Sequence, residues 1–106
     1  MGKIVEFIRV LTESDQIRRS FTTEKGRVID FVIQYETLID EKWTPIVRYD
    51  THHDFAHRDE MFPDGTQKKT DLGMTDWNEA LTFAIEDTNK NWKTYKQRYL
   101  RRMKKP

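Results

Sequence analysis

A chain of 106 residues, 36% hydrophobic and 35% charged, has enough apolar material for one domain (1–106) with a thin core, most simply a sheet covered on one face. It has no cysteine, which excludes disulfides, thiolate nucleophiles and cysteine-ligated zinc and suits a reducing cytoplasm; no apolar run approaches the roughly 20 residues of a membrane helix. The net charge of +1 hides a division, because residues 1–87 hold all 18 acids against 11 bases, a balance of −7, while residues 88–106 hold 8 bases and no acid. Such asymmetry is the mark of an interaction tail.

Residues 3–12 are rich in β-branched and aromatic side chains and predict a first strand, closed by the turn formers Glu13, Ser14, Asp15 and Gln16. A shorter, polar strand over 17–23 follows, and Gly26 supplies a residue able to take positive φ before the next run. Residues 28–39 form the longest predicted strand, with Ile29, Phe31, Ile33 and Tyr35 on the core face. The run 43–51 places Trp43, Pro45, Val47 and Tyr49 on one side, and Pro45, which has no N–H to give a ladder, predicts an edge or a bulge there. Further strands are expected over 55–62 and 67–72, joined through the tight-turn sequence Pro63-Asp64-Gly65-Thr66. At Gly73 the period changes. Asp76 with Glu79 matches a capping box, and Trp77, Leu81, Ala84, Thr88, Trp92, Tyr95 and Tyr99 recur at helical spacing, with Ile85 widening the stripe, so one helix is expected from about residue 76 to 102. The predicted fold is α+β: an antiparallel meander of five or six strands (sheet 3–72) with a long C-terminal helix packed on one face.

All three histidines fall within residues 49–59, Tyr-Asp-Thr-His-His-Asp-Phe-Ala-His-Arg-Asp. Extended backbone from His53 onward puts His53, Phe55, His57, Asp59 and Met61 on one face, so His57 and Asp59 form an imidazole–carboxylate pair suited to general base work. Arg48 and Asp50 form a same-face pair on the preceding strand, which the hairpin brings alongside. From these five residues, His57, Asp59, His53, Arg48 and Asp50, a phosphodiester-cleaving site can be assembled, with His57 as base, a second histidine as acid and a guanidinium on the phosphate. The shared face of His57, Phe55 and Met61 equally suits a core-edge histidine satisfied by a backbone carbonyl. His52 and His57 with Asp50 or Asp54 could supply three metal ligands, but no familiar spacing such as His-Glu-x-x-His is present, so no metal and no cofactor are assigned. A glycine-rich phosphate loop is missing too, which excludes P-loop nucleotide hydrolysis.

The acid-free helix end interleaves cations with aromatics, and Lys93, Lys96, Arg98, Arg101 and Arg102 are its candidate contacts to RNA or DNA. An acidic protein partner or a second copy of the chain suits the same surface. No membrane partner is expected.

The segment Trp43-x-x-Ile46-Val47-Arg48-Tyr49-Asp50-Thr51-x-His53-x-Phe55-x-His57-x-Asp59, followed by Pro63-x-Gly65 and a helix opening Asn78-Glu79-Ala80-Leu81, resembles a family of small uncharacterised prokaryotic proteins. It also looks like the TumE-type toxins of toxin–antitoxin operons, which place an Arg-Tyr-Asp-like strand before a histidine-rich turn. The likeness covers residues 43–85; the toxin resemblance implies an RNA-directed activity, with Arg48, Asp50, His53 and His57 as the matching positions.

Overall fold

Alternating segments joined by tight turns fold here into one six-stranded antiparallel sheet whose strands lie in chain order, followed among the described residues by one long helix. The computed structural model describes residues 2–52 and 55–104. The strands are β1 (Lys3–Thr12), β2 (Asp15–Glu24), β3 (Arg27–Ile39), β4 (Lys42–Asp50), β5 (His57–Met61) and β6 (Gln67–Asp71), and α1 runs Trp77–Met103. The β2–β3 hairpin turns on Lys25 and Gly26, both at positive φ (51° and 77°), which supplies the twist that two-residue hairpins demand. Asp40 and Glu41 do the same between β3 and β4 at 50° and 65°. Gly65, at φ 90°, donates to the Phe62 carbonyl in the β5–β6 turn, and Thr66 N–H is held by Asp64 Oδ1 at 2.9 Å.

One face of the sheet carries Ile17, Phe31, Ile33, Tyr35, Val47 and Tyr49, all buried, and α1 lies across β3 and β4 with Ala80, Leu81, Ala84, Tyr95 and Tyr99 against them. Asp76 caps the helix by accepting from the N–H groups of Asn78 and Glu79. Trp43, expected on one side with Val47 and Tyr49, and Ile29, expected on the core face, both lie elsewhere for a common reason. Val47 pairs with Tyr35 but Pro45 pairs with Glu36, so Ile46 is an extra residue, and the bulge turns Trp43 toward the opposite face, where it is 39% exposed. Ile29 is likewise skipped between the Thr22–Asp30 and Thr23–Val28 pairs and is 40% exposed. Ile85 and Trp92, expected to be buried, are half-buried at the margins of the helix stripe, with the Trp92 ring 5.5 Å from that of Tyr35.

The charge division has a structural counterpart. Lys96 Nζ lies 3.1 Å from Asp15 on β2, and Arg98 and Arg102 reach Glu60 on β5 at 3.1 and 3.2 Å. Acidic strands and the basic helix end thus attract one another within the chain, which helps seat α1. Among the described residues no helix covers the opposite face of the sheet, which carries Gln16, Arg18, Val32, Gln34, Arg48, Asp50, His57, Asp59 and Lys69 by alternation from the buried positions.

Candidate functional site

Strand register assembles the site on that open face. Asp50 pairs with His57, Arg48 with Asp59, and Asp59 with Lys69 of β6, so five chemically active side chains from three adjacent strands share one surface. Of the residues singled out in the sequence, Arg48, Asp50, His57 and Asp59 are brought together; His53, with Asp54, lies outside the described residues. Lys69 was missed. Its signal was present, because a turn closed between Phe62 and Thr66 sets Lys69 opposite Asp59.

His57 is 1% exposed and Asp50 and Asp59 are each 5% exposed. The His57 Nδ1 atom faces the Phe55 carbonyl oxygen at 3.2 Å; a carbonyl only accepts, so Nδ1 carries the hydrogen and the ring orientation is fixed. The other ring nitrogen, Nε2, points between two carboxylates, 2.8 Å from Asp50 Oδ1 and 3.4 Å from Asp59 Oδ2. Each carboxylate has its second oxygen beside a cation: Arg48 Nε donates to Asp50 Oδ2 at 2.9 Å, and Lys69 Nζ stands 3.3 Å from Asp59 Oδ1, which receives no directed hydrogen bond among the described residues. His52, exposed, gives its backbone N–H to Asp50 Oδ1 at 3.1 Å. The two carboxylates and two cations balance in formal charge, which makes the burial of so many ionisable groups tolerable.

These side chains floor a cleft of about 860 Å³, whose walls include Asp30, Val32, Thr51, Met61, Gln67 and, from the start of α1, Trp77. The cations reach further into solvent than the acids, with the Arg48 and Lys69 side chains 42% exposed against 7% for either carboxylate. An anion entering the cleft therefore meets positive charge at the rim and a His–carboxylate group beneath. Together Asp50, His57 and Asp59 are able to hold a metal ion, since one ligand atom from each lies within 4.8 Å of the others. The spacing rule that assigned no metal reads ligands along one strand or helix, whereas these come from two paired strands.

A second polar group lies under α1. Tyr49 and Tyr95 both donate to Asp87 Oδ2, the latter at 2.6 Å, Asn91 Nδ2 donates to Asp87 Oδ1 at 2.7 Å, and Arg58 Nη1 donates to the Tyr95 hydroxyl at 3.2 Å. Burial by itself raises the Asp87 pKa, but the hydrogen bonds from Tyr49, Tyr95 and Asn91 and the Arg58 charge outweigh it and hold the carboxyl below its ordinary value. Burial, then the bond to Asp87, drives the Tyr49 hydroxyl far upward. This group fastens the helix to β4 and β5 and faces away from the cleft. Among the helix cations singled out in the sequence, Lys96, Arg98 and Arg102 are paired with Asp15 and Glu60, while Lys93 and Arg101 are exposed and enter none of the ion pairs among the described residues.

The family model for a domain of unknown function (DUF7718) matches residues 2–105, nearly the whole chain. The chain belongs to that family. No curated protein and no solved structure matches it, and nothing in the comparisons supports the likeness to TumE-type toxins.

Proposed function

We propose that this member of the DUF7718 family binds RNA across the open face of its sheet and cleaves it at the Asp50–His57–Asp59 cluster. The observation that carries the reading is the layered electrostatics of the cleft: two half-exposed cations, Arg48 and Lys69, stand over a buried imidazole flanked by two carboxylates. A phosphodiester group drawn to the rim has its non-bridging oxygens neutralised by Arg48 and Lys69, and a guanidinium and an ammonium there stabilise the extra charge of a phosphorane. The ribose 2′-oxygen then bonds to the adjacent phosphorus, the bond from phosphorus to the 5′-oxygen breaks, the 2′-proton passes to the anionic floor, and the leaving oxygen takes a proton from solvent. His57 itself is too enclosed to meet the 2′-hydroxyl, with its side chain 2% exposed. Its role in this reading is to position the two carboxylates. Trp77 at the cleft wall offers a ring on which an unpaired base can stack.

The test is cleavage of a fluorescent random-sequence RNA pool by the wild-type protein and by Arg48→Gln and Asp59→Asn. Cleavage by the wild type with a loss of about 100-fold or more in each variant supports the reading. Full activity in both variants contradicts it.

Self-association is the second reading, and β1 rather than the basic helix favours it. This edge strand of ten residues shows Ile4, Phe7, Ile8 and Val10 to solvent at 65, 46, 47 and 71% exposure. Long apolar edges invite strand pairing with another chain. Sedimentation equilibrium of the wild type against Ile8→Lys decides it: a dimer that dissociates in the variant supports this reading, and a monomeric wild type removes it.

A further inference from the structure

We propose that Asp50, His57 and Asp59 form a divalent cation site, with the cation bound by His57 Nε2, Asp50 Oδ1 and Asp59 Oδ2 and its remaining positions open to the cleft. It deepens the RNA-cleavage reading and rests on it for the use of the cation, but the binding itself stands on three features of the geometry.

The first is ligand spacing. Ligand atoms held about 2.1 Å from an ion lie about 3.0 Å apart when octahedral and about 3.4 Å apart when tetrahedral. The Nε2 atom stands 2.8 and 3.4 Å from its two carboxylate oxygens, and one ligand atom from each of the three residues falls within 4.8 Å of the others.

The second is the donor and acceptor count. With Nδ1 committed to the Phe55 carbonyl, a neutral ring presents a bare lone pair at Nε2, aimed at two oxygens that also only accept. That arrangement is repulsive unless something positive sits among the three atoms. Asp59 Oδ1, the other oxygen of that carboxylate, is also buried and takes no directed hydrogen bond among the described residues, with only the Lys69 ammonium 3.3 Å away.

The third is the outer shell. Ligating histidines commonly donate their other nitrogen to a carbonyl or carboxylate, and ligating carboxylates are themselves held by hydrogen bonds. Here two ligands have such a partner, Phe55 O for His57 and Arg48 for Asp50, and the third, Asp59, has the Lys69 ammonium as a neighbouring charge at 3.3 Å. Two carboxylates with one imidazole are a hard-to-borderline donor set, suited to Mn²⁺, Mg²⁺ or Zn²⁺. Three protein ligands leave the cation able to bind a phosphate oxygen or the attacking hydroxyl, and an oxygen bound to such an ion loses its proton more easily. With the cation in place the 2′-proton of the proposed cleavage passes to water in the cleft, because the carboxylate oxygens that face it are then ligands.

The experiment is titration of the full chain with Mn²⁺ alone, followed by calorimetry and by pulsed electron paramagnetic resonance, which detects a directly bound imidazole through its ¹⁴N coupling. The expected result is one saturable site with ¹⁴N coupling in the wild type, weakened at least about 10-fold and stripped of that coupling in His57→Gln. Asp59→Asn should weaken the same site. No binding at millimolar Mn²⁺, or binding without nitrogen coupling, overturns the proposal and leaves a doubly protonated ring as the way these atoms are satisfied; the wild-type spectrum decides this even if a variant fails to fold. Mn²⁺ bound through nitrogen without RNA cleavage keeps the cation site and removes the nuclease. Cleavage that persists in chelator with no Mn²⁺ binding removes the cation site and keeps the nuclease.

Discussion

Replacing Asp87 by alanine tests how the helix is fastened, and the expected cost follows from the partners left behind. Asp87 Oδ2 accepts from Tyr49 and Tyr95, Oδ1 accepts from Asn91, and the Arg58 guanidinium lies 3.8 Å from Oδ2. Tyr49 and Tyr95 hydroxyls are 3.3 Å apart, so after the substitution one can donate to the other. The remaining hydroxyl hydrogen has no acceptor, Arg58 loses its counter-charge, and Asn91, half-buried, turns to water. Losing hydrogen bonds to a charged acceptor costs about 1.5 to 3 kcal/mol each, and the rescue of one hydroxyl recovers part of the sum, so the net loss should be about 3 to 5 kcal/mol. Urea denaturation followed by tryptophan fluorescence measures it, with Asp87→Asn expected to lose less because an acceptor oxygen remains. The pH dependence has a definite sign. Asp87 has its folded pKa depressed, so it contributes stability that is present above the unfolded carboxylate range and is lost as pH falls through the lower folded value. The wild-type stability curve should therefore fall on the acid side, and Asp87→Asn should flatten that limb. A loss below about 1 kcal/mol in the alanine variant, with an unchanged acid limb, would mean that Asp87 does not fasten the helix.

Leu81→Ala should cost about 2 to 4 kcal/mol in the same denaturation assay, since the side chain is buried between the helix and the sheet. Asp15 also has a depressed pKa, because hydrogen bonds from Thr12, Tyr35, Thr37 and Lys96 outweigh the upward effect of burial, so Lys96→Met should shrink the stability lost on acidification. Gly65→Ala places a Cβ at φ 90° and should cost about 1 kcal/mol by thermal melting, with no contact to blame. Removing Lys93 and Arg101 together should change RNA affinity and its salt slope less than removing Arg48 and Lys69 together, which affinity measured against salt concentration will show.

The alternation of residues 28–39 and the switch to helical spacing after Gly73 were enough to read the sheet, the helix and most of the core, because each is a local pattern. What escaped was set by single extra residues. The bulges at Ile46 and Ile29 flip Trp43 and expose Ile29, and only the Pro45 signal pointed to the first of them. In the site, the parity of residues 48, 50, 57 and 59 was legible, and so were the two same-face pairs that the β4–β5 hairpin joins. The convergence of Asp50 and Asp59 on one imidazole nitrogen was not, since it depends on register and side-chain direction. The basic run of α1 shows the limit of composition most clearly: Lys96, Arg98 and Arg102 find their acids 81, 38 and 42 positions away in the sequence, on strands that only the fold brings near.

If RNA binds the open face of the sheet, a short single-stranded RNA added to ¹⁵N-labelled protein should shift the amide resonances of Arg48, Asp50, Thr51, His57, Asp59 and Lys69 the most. Changes confined to residues 90–104 of the helix, with the open face silent, would contradict it.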